Sequence, residues 1–252
     1  MDFAAKVLSS KVEKGKIKLI FMGQAGFIIK DDKGRLIAID LYLSDCCERY
    51  FGFKRLMPKL ISAIDLKFDV VITTHAHYDH FDPDSIPQMV NRSTDFYTSE
   101  GGIPECERLG MRTDNISVLK VGNSYKNGDM TIHAVYCNHG ELAPDAVGIV
   151  IELAGKKLYF VGDTSYNPDQ LNCELTRNVD FMAVPVNGAF GNLNEQESVL
   201  LAKHLNAKLV VPCHFWNFAE HLGNPYLFLD NAKKSLAGGS YRLMSMGEEI
   251  SL

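Results

Sequence analysis

The chain has 252 residues, 46% hydrophobic and 23% charged, proportions of a soluble domain with a sizeable core, which excludes disordered and collagen-like classes. Net charge is −5, from 26 basic against 31 acidic residues, and no window gathers enough Lys and Arg to grip a phosphate backbone, so no nucleic-acid partner is expected. No apolar run approaches the roughly 20 residues of a membrane span, and Asp2 and Lys6 interrupt the N-terminus before the apolar stretch of a secretory signal develops. The six cysteines include no CxxC pair and read as reduced, mostly buried thiols. The expected compartment is the cytosol, and with no linker in view the expected organisation is a single domain, 1–252.

In chain order, the stretch 31–34 (DDKG) reads as a hairpin turn, and 36–40 (LIAID) as a strand ending in aspartate. A second strand, 68–75 (FDVVITTH), ends in histidine. Asp82 followed by Pro83 predicts a capped helix over about 83–91, and another helix starts near Ile103 and stops before Gly110. Turns are predicted at 126–128 and 155–157, flanking strands 131–139 (TIHAVYCNH) and 158–163 (LYFVGD). A strand at 181–186, a helix over roughly 195–206 capped by Asn194, and a strand at 208–214 (KLVVPCH) follow. Continuous Val and Ile runs suit strands covered on both faces, so an α/β fold with helices outside its sheets is expected, with five polar strand ends at sheet edges.

The segment His75-Ala76-His77-Tyr78-Asp79-His80 puts three imidazoles and one carboxylate into six residues, directly after a strand. Imidazole nitrogen and carboxylate oxygen are ligands for zinc, manganese or iron. Four donors in one segment exceed the share one ion takes from a single stretch, which suggests two metal ions. His139, Asp163 and His214 also fall at strand ends; singly each could only cap a turn, and their common placement raises them together.

The HxHxDH element, the later His139, Gly162-Asp163-Thr164 and the distal His214 resemble, in order, the motifs of the metallo-β-lactamase fold superfamily, and Asp40 matches its early strand-end aspartate. Within it, Pro144 to Gly148, Pro185-Val186-Asn187-Gly188 and Pro212-Cys213-His214-Phe215-Trp216 resemble the branch of L-ascorbate-6-phosphate lactonases and related metal-dependent hydrolases. The resemblance implies a four-layer αββα sandwich and a hydrolase holding two divalent ions, Mn2+ or Zn2+. It implies one ion on His75, His77 and His139, the other on Asp79, His80 and His214, with Asp163 bridging and Asp40 orienting a ligand histidine. Asp79 would also serve catalysis, by orienting the attacking water or passing a proton to the leaving group.

Asn187 and His221 are candidates for substrate contact, each weighed evenly or less against plain turn chemistry or a solvated loop. His133 and His204 need no functional explanation, and Cys213 reads as a buried thiol. The expected substrate is a small ester, lactone or phosphorylated sugar derivative. A phosphodiesterase or nuclease of the same superfamily, and a metal-binding sensor without turnover, stand as alternatives. No membrane partner is expected, and homo-oligomerisation is left open.

Overall fold

The computed structural model describes residues 2–91 and 93–252. The elements up to Leu119 are α1 (Phe3–Ser9), β1 (Ile17–Gly23), β2 (Gly26–Asp31), β3 (Leu36–Ile39), α2 (Cys46–Phe51), β4 (Val70–Thr73), α3 (Ile86–Met89), β5 (Asp95–Ser99), α4 (Gly102–Arg108) and β6 (Ile116–Leu119). There follow β7 (Ser124–Asn127), β8 (Met130–Tyr136), β9 (Val147–Leu153), β10 (Lys156–Phe160), α5 (Pro168–Leu171), β11 (Phe181–Pro185), α6 (Glu195–His204), β12 (Val210–Cys213), α7 (Pro225–Ser235) and β13 (Glu249–Ser251).

These elements form two compact units, one made of the residues up to Leu119 together with Ser245–Leu252, the other Lys120–Met244. Each unit is built on one mixed sheet with helices against it, the α/β architecture the sequence predicts. In the first unit the strand order is β13-β1-β2-β3-β4-β5-β6, antiparallel as far as β3 and parallel from β3 to β6. Alternate residues Ile20, Met22, Ile28, Ala38, Val71 and Phe96 share one apolar cluster with Ala4 and Val7 of α1, Ile86 and Met89 of α3, and Cys106 of α4. The intervening residues Leu19, Phe21, Phe27, Ile29, Ile37, Ile39, Val70 and Ile72 are buried as well. A sheet covered on both faces explains why its strands read as unbroken apolar runs; each such side chain contributes about 1.5–3 kcal/mol on burial.

In the second unit the order is β12-β11-β10-β9-β8-β7, parallel from β12 to β10 and antiparallel beyond. β8, β10 and β12 therefore run the same way and deliver their C-terminal ends to one edge. β3 and β4 do the same in the first unit. β9, β10, β11 and β12 carry a nearly continuous apolar burial pattern around the fully buried Tyr159 and Phe181.

The helix predicted over 83–91 is shorter, Ile86–Met89, because Asp82 does not cap it. Its carboxylate instead takes six donors: Leu43 N, Ser44 N and Ser85 Oγ on Oδ2, and Ser44 Oγ, Asp84 N and Ser85 N on Oδ1. Residues 82–85 are thereby tied into a turn before the helix begins. The helix predicted over 195–206 is Glu195–His204, started by a capping box in which Asn194 accepts from Glu197 N and Glu197 accepts from Asn194 N. The predicted strands lie within one to three residues of their observed bounds. Helices α1, α2, α5 and α7 were not anticipated. The start of α7, Asn224 before Pro225, carries the same cap-and-proline signal that was read at 82–83.

All six cysteines are free thiols, five of them buried and Cys173 exposed. Hydrogen bonding with Cys47 and burial push the Cys46 thiol up, and burial pushes Cys106 up to about 12, so both stay protonated. Among the described residues no helix is long and apolar enough to cross a membrane.

Candidate metal centre

In the first unit, β4 ends at Thr73 and the chain turns through the HxHxDH segment. His80 N and Phe81 N both donate to the His77 carbonyl, which closes the turn, and Phe81 anchors it in the core. The neighbouring strand β3 ends one residue before Asp40, which adopts a left-handed φ of 46°. That conformation is uncommon outside glycine and asparagine. Here it turns the carboxylate toward the start of the motif: Asp40 Oδ1 accepts from Thr74 N at 2.8 Å, and Oδ2 accepts from Thr74 Oγ1 at 2.7 Å.

Those contacts set the histidine tautomers. His80 Nδ1 lies 2.9 Å from Asp40 Oδ2, an acceptor, so Nδ1 carries the proton and Nε2 presents its lone pair. Thr74 Oγ1 donates its hydrogen to Asp40 in a hydrogen bond and faces His75 Nδ1 at 3.1 Å as an acceptor, so this nitrogen is a donor too and Nε2 presents its lone pair. His75 Nε2 stands 3.0 Å from His77 Nδ1, and the rings of His75 and His80 lie 4.1 Å apart. Two imidazole nitrogens, each about 2.0–2.1 Å from a shared ion, stand about this far apart. The donor set and its tautomers thus fit a divalent ion. Asp79, 8% exposed, has Oδ2 3.5 Å from His80 Nε2 and accepts there from Gln24 Nε2 at 2.8 Å.

The second unit presents its own set. Gly162, at φ 73°, turns the chain out of β10 into Asp163, and His214, at φ 61°, leaves β12 in the left-handed region. Asp163 Oδ2 lies 3.2 Å from His214 Nε2 and 3.8 Å from His139 Nε2. One carboxylate oxygen and two imidazole nitrogens therefore face each other, all buried. The strand ends that carry them are laced together: Cys137 Sγ donates to the Asp163 carbonyl, Asn138 N to Thr164 Oγ1 and Ser165 N to the Asn138 carbonyl.

His221 is buried, not solvated. Its ring stacks flat on His214, centroids 4.8 Å apart and 5° between planes, and is flanked edge-on by Phe218 and Phe190. Asn187, also buried, directs its Nδ2 to the Ala189 carbonyl within the loop that precedes α6. Trp216 is exposed, and so outside the core. Tyr78, between two predicted ligands, packs against Tyr50 and Phe51, and its hydroxyl meets Glu105 and Arg108. Burial first, and then the Glu105 carboxylate, push its ionisation up. His133 binds Ser124 Oγ and His204 binds Asn172, as expected for residues without a site role. Three residues with a hand in this geometry were not singled out from sequence: Thr74, Gln24 and Asp82 in its loop-tying role. Only Thr74, just before the motif, stood where the motif itself could have pointed to it.

The profile of the β-lactamase superfamily domain matches residues 18–214. The chain belongs to that family. A metal-dependent hydrolase of Bacillus subtilis (strain 168), YtkL, is 27% identical over 200 residues, 75% of this chain and 84% of its own. Among solved structures, Igni18, a metallo hydrolase of the archaeon Ignicoccus hospitalis, superposes with a TM-score of 0.69 at 23% identity over 94% of this chain and 98% of its own. An isothiocyanate hydrolase from Delia radicum gut bacteria gives 0.74 at 20% identity, over 92% and 98%. The metallo-β-lactamase fold implied by the sequence motifs is the fold of these structures, and the chain is a metal-dependent hydrolase of this superfamily.

Proposed function

We propose that the chain holds two divalent ions, Mn2+ or Zn2+, and hydrolyses a small ester, lactone or phosphorylated sugar derivative in the manner of the L-ascorbate-6-phosphate lactonases. One ion is assigned to His75, His77 and His139, the other to Asp79, His80 and His214, with Asp163 shared. The observation that carries this reading is the fixing of His75 and His80 through Nδ1 by the Thr74–Asp40 pair, which leaves both Nε2 atoms as ligands. A carboxylate behind a ligand histidine is the usual companion of a metal site.

Bound there, the two ions would supply a water activated at neutral pH and Lewis-acid stabilisation of developing negative charge. The chain's own residues do the rest. Asp40 and Thr74 hold the imidazoles of His75 and His80 in the tautomer that leaves Nε2 open. Asp79 orients the attacking water or passes a proton taken from that water to the leaving group. Asn187, in the loop after β11, and His221, stacked on His214, are assigned to substrate contact.

Support for a small substrate comes from the lactonase-like segments around Asn187 and His214, from the net charge of −5, and from the isothiocyanate hydrolase of the same fold. The same reading makes 1–252 one hydrolase domain, working in the cytosol without nucleic-acid or membrane partners. The test is metal analysis of the purified chain, followed by lactones, carboxylic esters, phosphate esters and phosphodiesters offered with Mn2+ and with Zn2+. Turnover of a lactone or ester that chelation abolishes and metal restores is the expected result. Metal-loaded protein turning over only phosphodiesters, or nothing, overturns it.

A further inference from the structure

Gln24 occupies a position that its own chemistry does not favour. It is the first residue of the two-residue turn joining β1 to β2, with φ at 51°, and it is 1% exposed. Turn positions of this kind take glycine, asparagine or aspartate, while a long side chain held left-handed costs about 1 kcal/mol or more. The surroundings hold the turn tightly. A Cβ on Gly23 would stand 2.9 Å from Met246 Sδ, and one on Gly26 would meet the Gly23 and Asp40 carbonyl oxygens at 3.1 and 3.2 Å. The turn is therefore pressed against the same Asp40 that fixes His75 and His80.

The strain secures a contact to Asp79. Gln24 Nε2 donates to Asp79 Oδ2 at 2.8 Å, across 55 residues of sequence. The amide orientation follows from the partner, since a carboxylate offers only acceptors and the opposite flip would set oxygen against oxygen. A carboxamide donor does not change charge with pH, and a donor locked in a buried turn fixes the rotation of the carboxylate it meets. It thereby fixes the direction in which the Asp79 lone pairs point.

We propose that Gln24 is a positioning residue for Asp79: its buried amide sets the carboxylate orientation needed for metal binding, and the left-handed turn exists to deliver it. This rests on the assignment of Asp79 as a metal ligand. It concerns a residue outside the motif, from the first hairpin of the chain, and it gives the glycines around the turn a functional purpose.

Co2+ is the probe. Gln24→Met keeps length and bulk and removes the donor. The expected result is a dissociation constant for the second equivalent of Co2+ raised about 10-fold or more, with an altered visible absorption spectrum, while the metal-free variant melts as the wild type does. A role confined to the turn would lower the melting temperature of the metal-free protein and leave spectrum and affinity unchanged, and that outcome overturns the proposal. If Gln24→Met does not fold, Gln24→Leu removes the donor with less length; a native spectrum and affinity in that variant equally overturn it. Wild-type protein that takes up no Co2+ defeats the metal assignment of Asp79 itself. Uptake by wild type together with an unchanged Gln24 variant defeats only the role of Gln24.

Discussion

Ser44 grips Asp82 twice, donating from its backbone nitrogen to Oδ2 at 2.8 Å and from its hydroxyl to Oδ1 at 2.7 Å. The pair fastens the segment that follows Asp40 to the segment that follows His80. Asp82 is fully buried, and losing it strands several buried donors at once. Asp82→Ala is expected to destabilise the chain by about 3 kcal/mol, seen as a melting point lower by about 6–12 °C. Ser44→Ala, which keeps the backbone donor, should lose about 1 kcal/mol. Equal melting points for the two variants would contradict this account.

The Asp40–Thr74–His75/His80 linkage makes a separate prediction about metal. Asp40→Ala and Thr74→Val leave every proposed ligand in place. Both should nevertheless weaken metal binding by about 10- to 100-fold, measured by competition with a chromophoric chelator. Wild-type affinity in both would remove the tautomer argument.

Lys30 lies on the β2 face beneath α1, and its ammonium donates to the carbonyls of Val7, Leu8 and Ser10, each at 2.8 Å. These are carbonyls at and beyond the last turn of α1, where the Ser9 hydroxyl also donates to the Ala5 carbonyl. Burial lowers the Lys30 pKa, and the three bonds hold the charge there. Lys30→Met should destabilise by about 1–3 kcal/mol and raise hydrogen exchange in α1 before the sheet; uniform exchange across both would count against a capping role.

Asp84 and Arg49 form a two-pronged pair at 2.7 and 2.8 Å between the loop after His80 and α2. The Arg49 hydrogen bond holds the Asp84 carboxyl below its ordinary 3.8. A carboxylate with a depressed folded pKa stabilises the fold above its unfolded value, and that contribution fades as pH falls below about 4. The pair is largely exposed, so Arg49→Ala should lower the melting point only slightly at pH 7, and by less as pH falls below about 4. A difference that persists undiminished at pH 2 would show that Arg49 acts through packing.

The strand ends were legible because chemistry and periodicity coincide there: β4 and β12 are apolar runs that stop just before His75 and His214, and the polar switch marks both the edge and the proposed ligand. The supporting residues were not legible. Gln24 reaches Asp79, and Asp82 reaches Leu43, through contacts set only by the order of strands in the sheet, which single-sequence patterns do not encode. Asp82 also misled, since an aspartate before proline signals a helix cap and here satisfies six donors from two segments, 43–44 and 84–85. His221 reads as a loop residue from its neighbours in sequence, whereas its burial comes from the rings of His214, Phe218 and Phe190, the last of them 31 residues away.

Asp40 and His214 leave their strands in a conformation that a side chain resists, so each is held there by what its side chain touches: Asp40 by Thr74 and His80, His214 by the ring of His221 stacked upon it. Glycine at position 214 would relieve about 1 kcal/mol of backbone strain but would empty the space of a buried ring, a larger loss. Backbone turn and ring packing are thus one device, and neither position can trade its side chain for an easier conformation without loosening the sheet edge it closes.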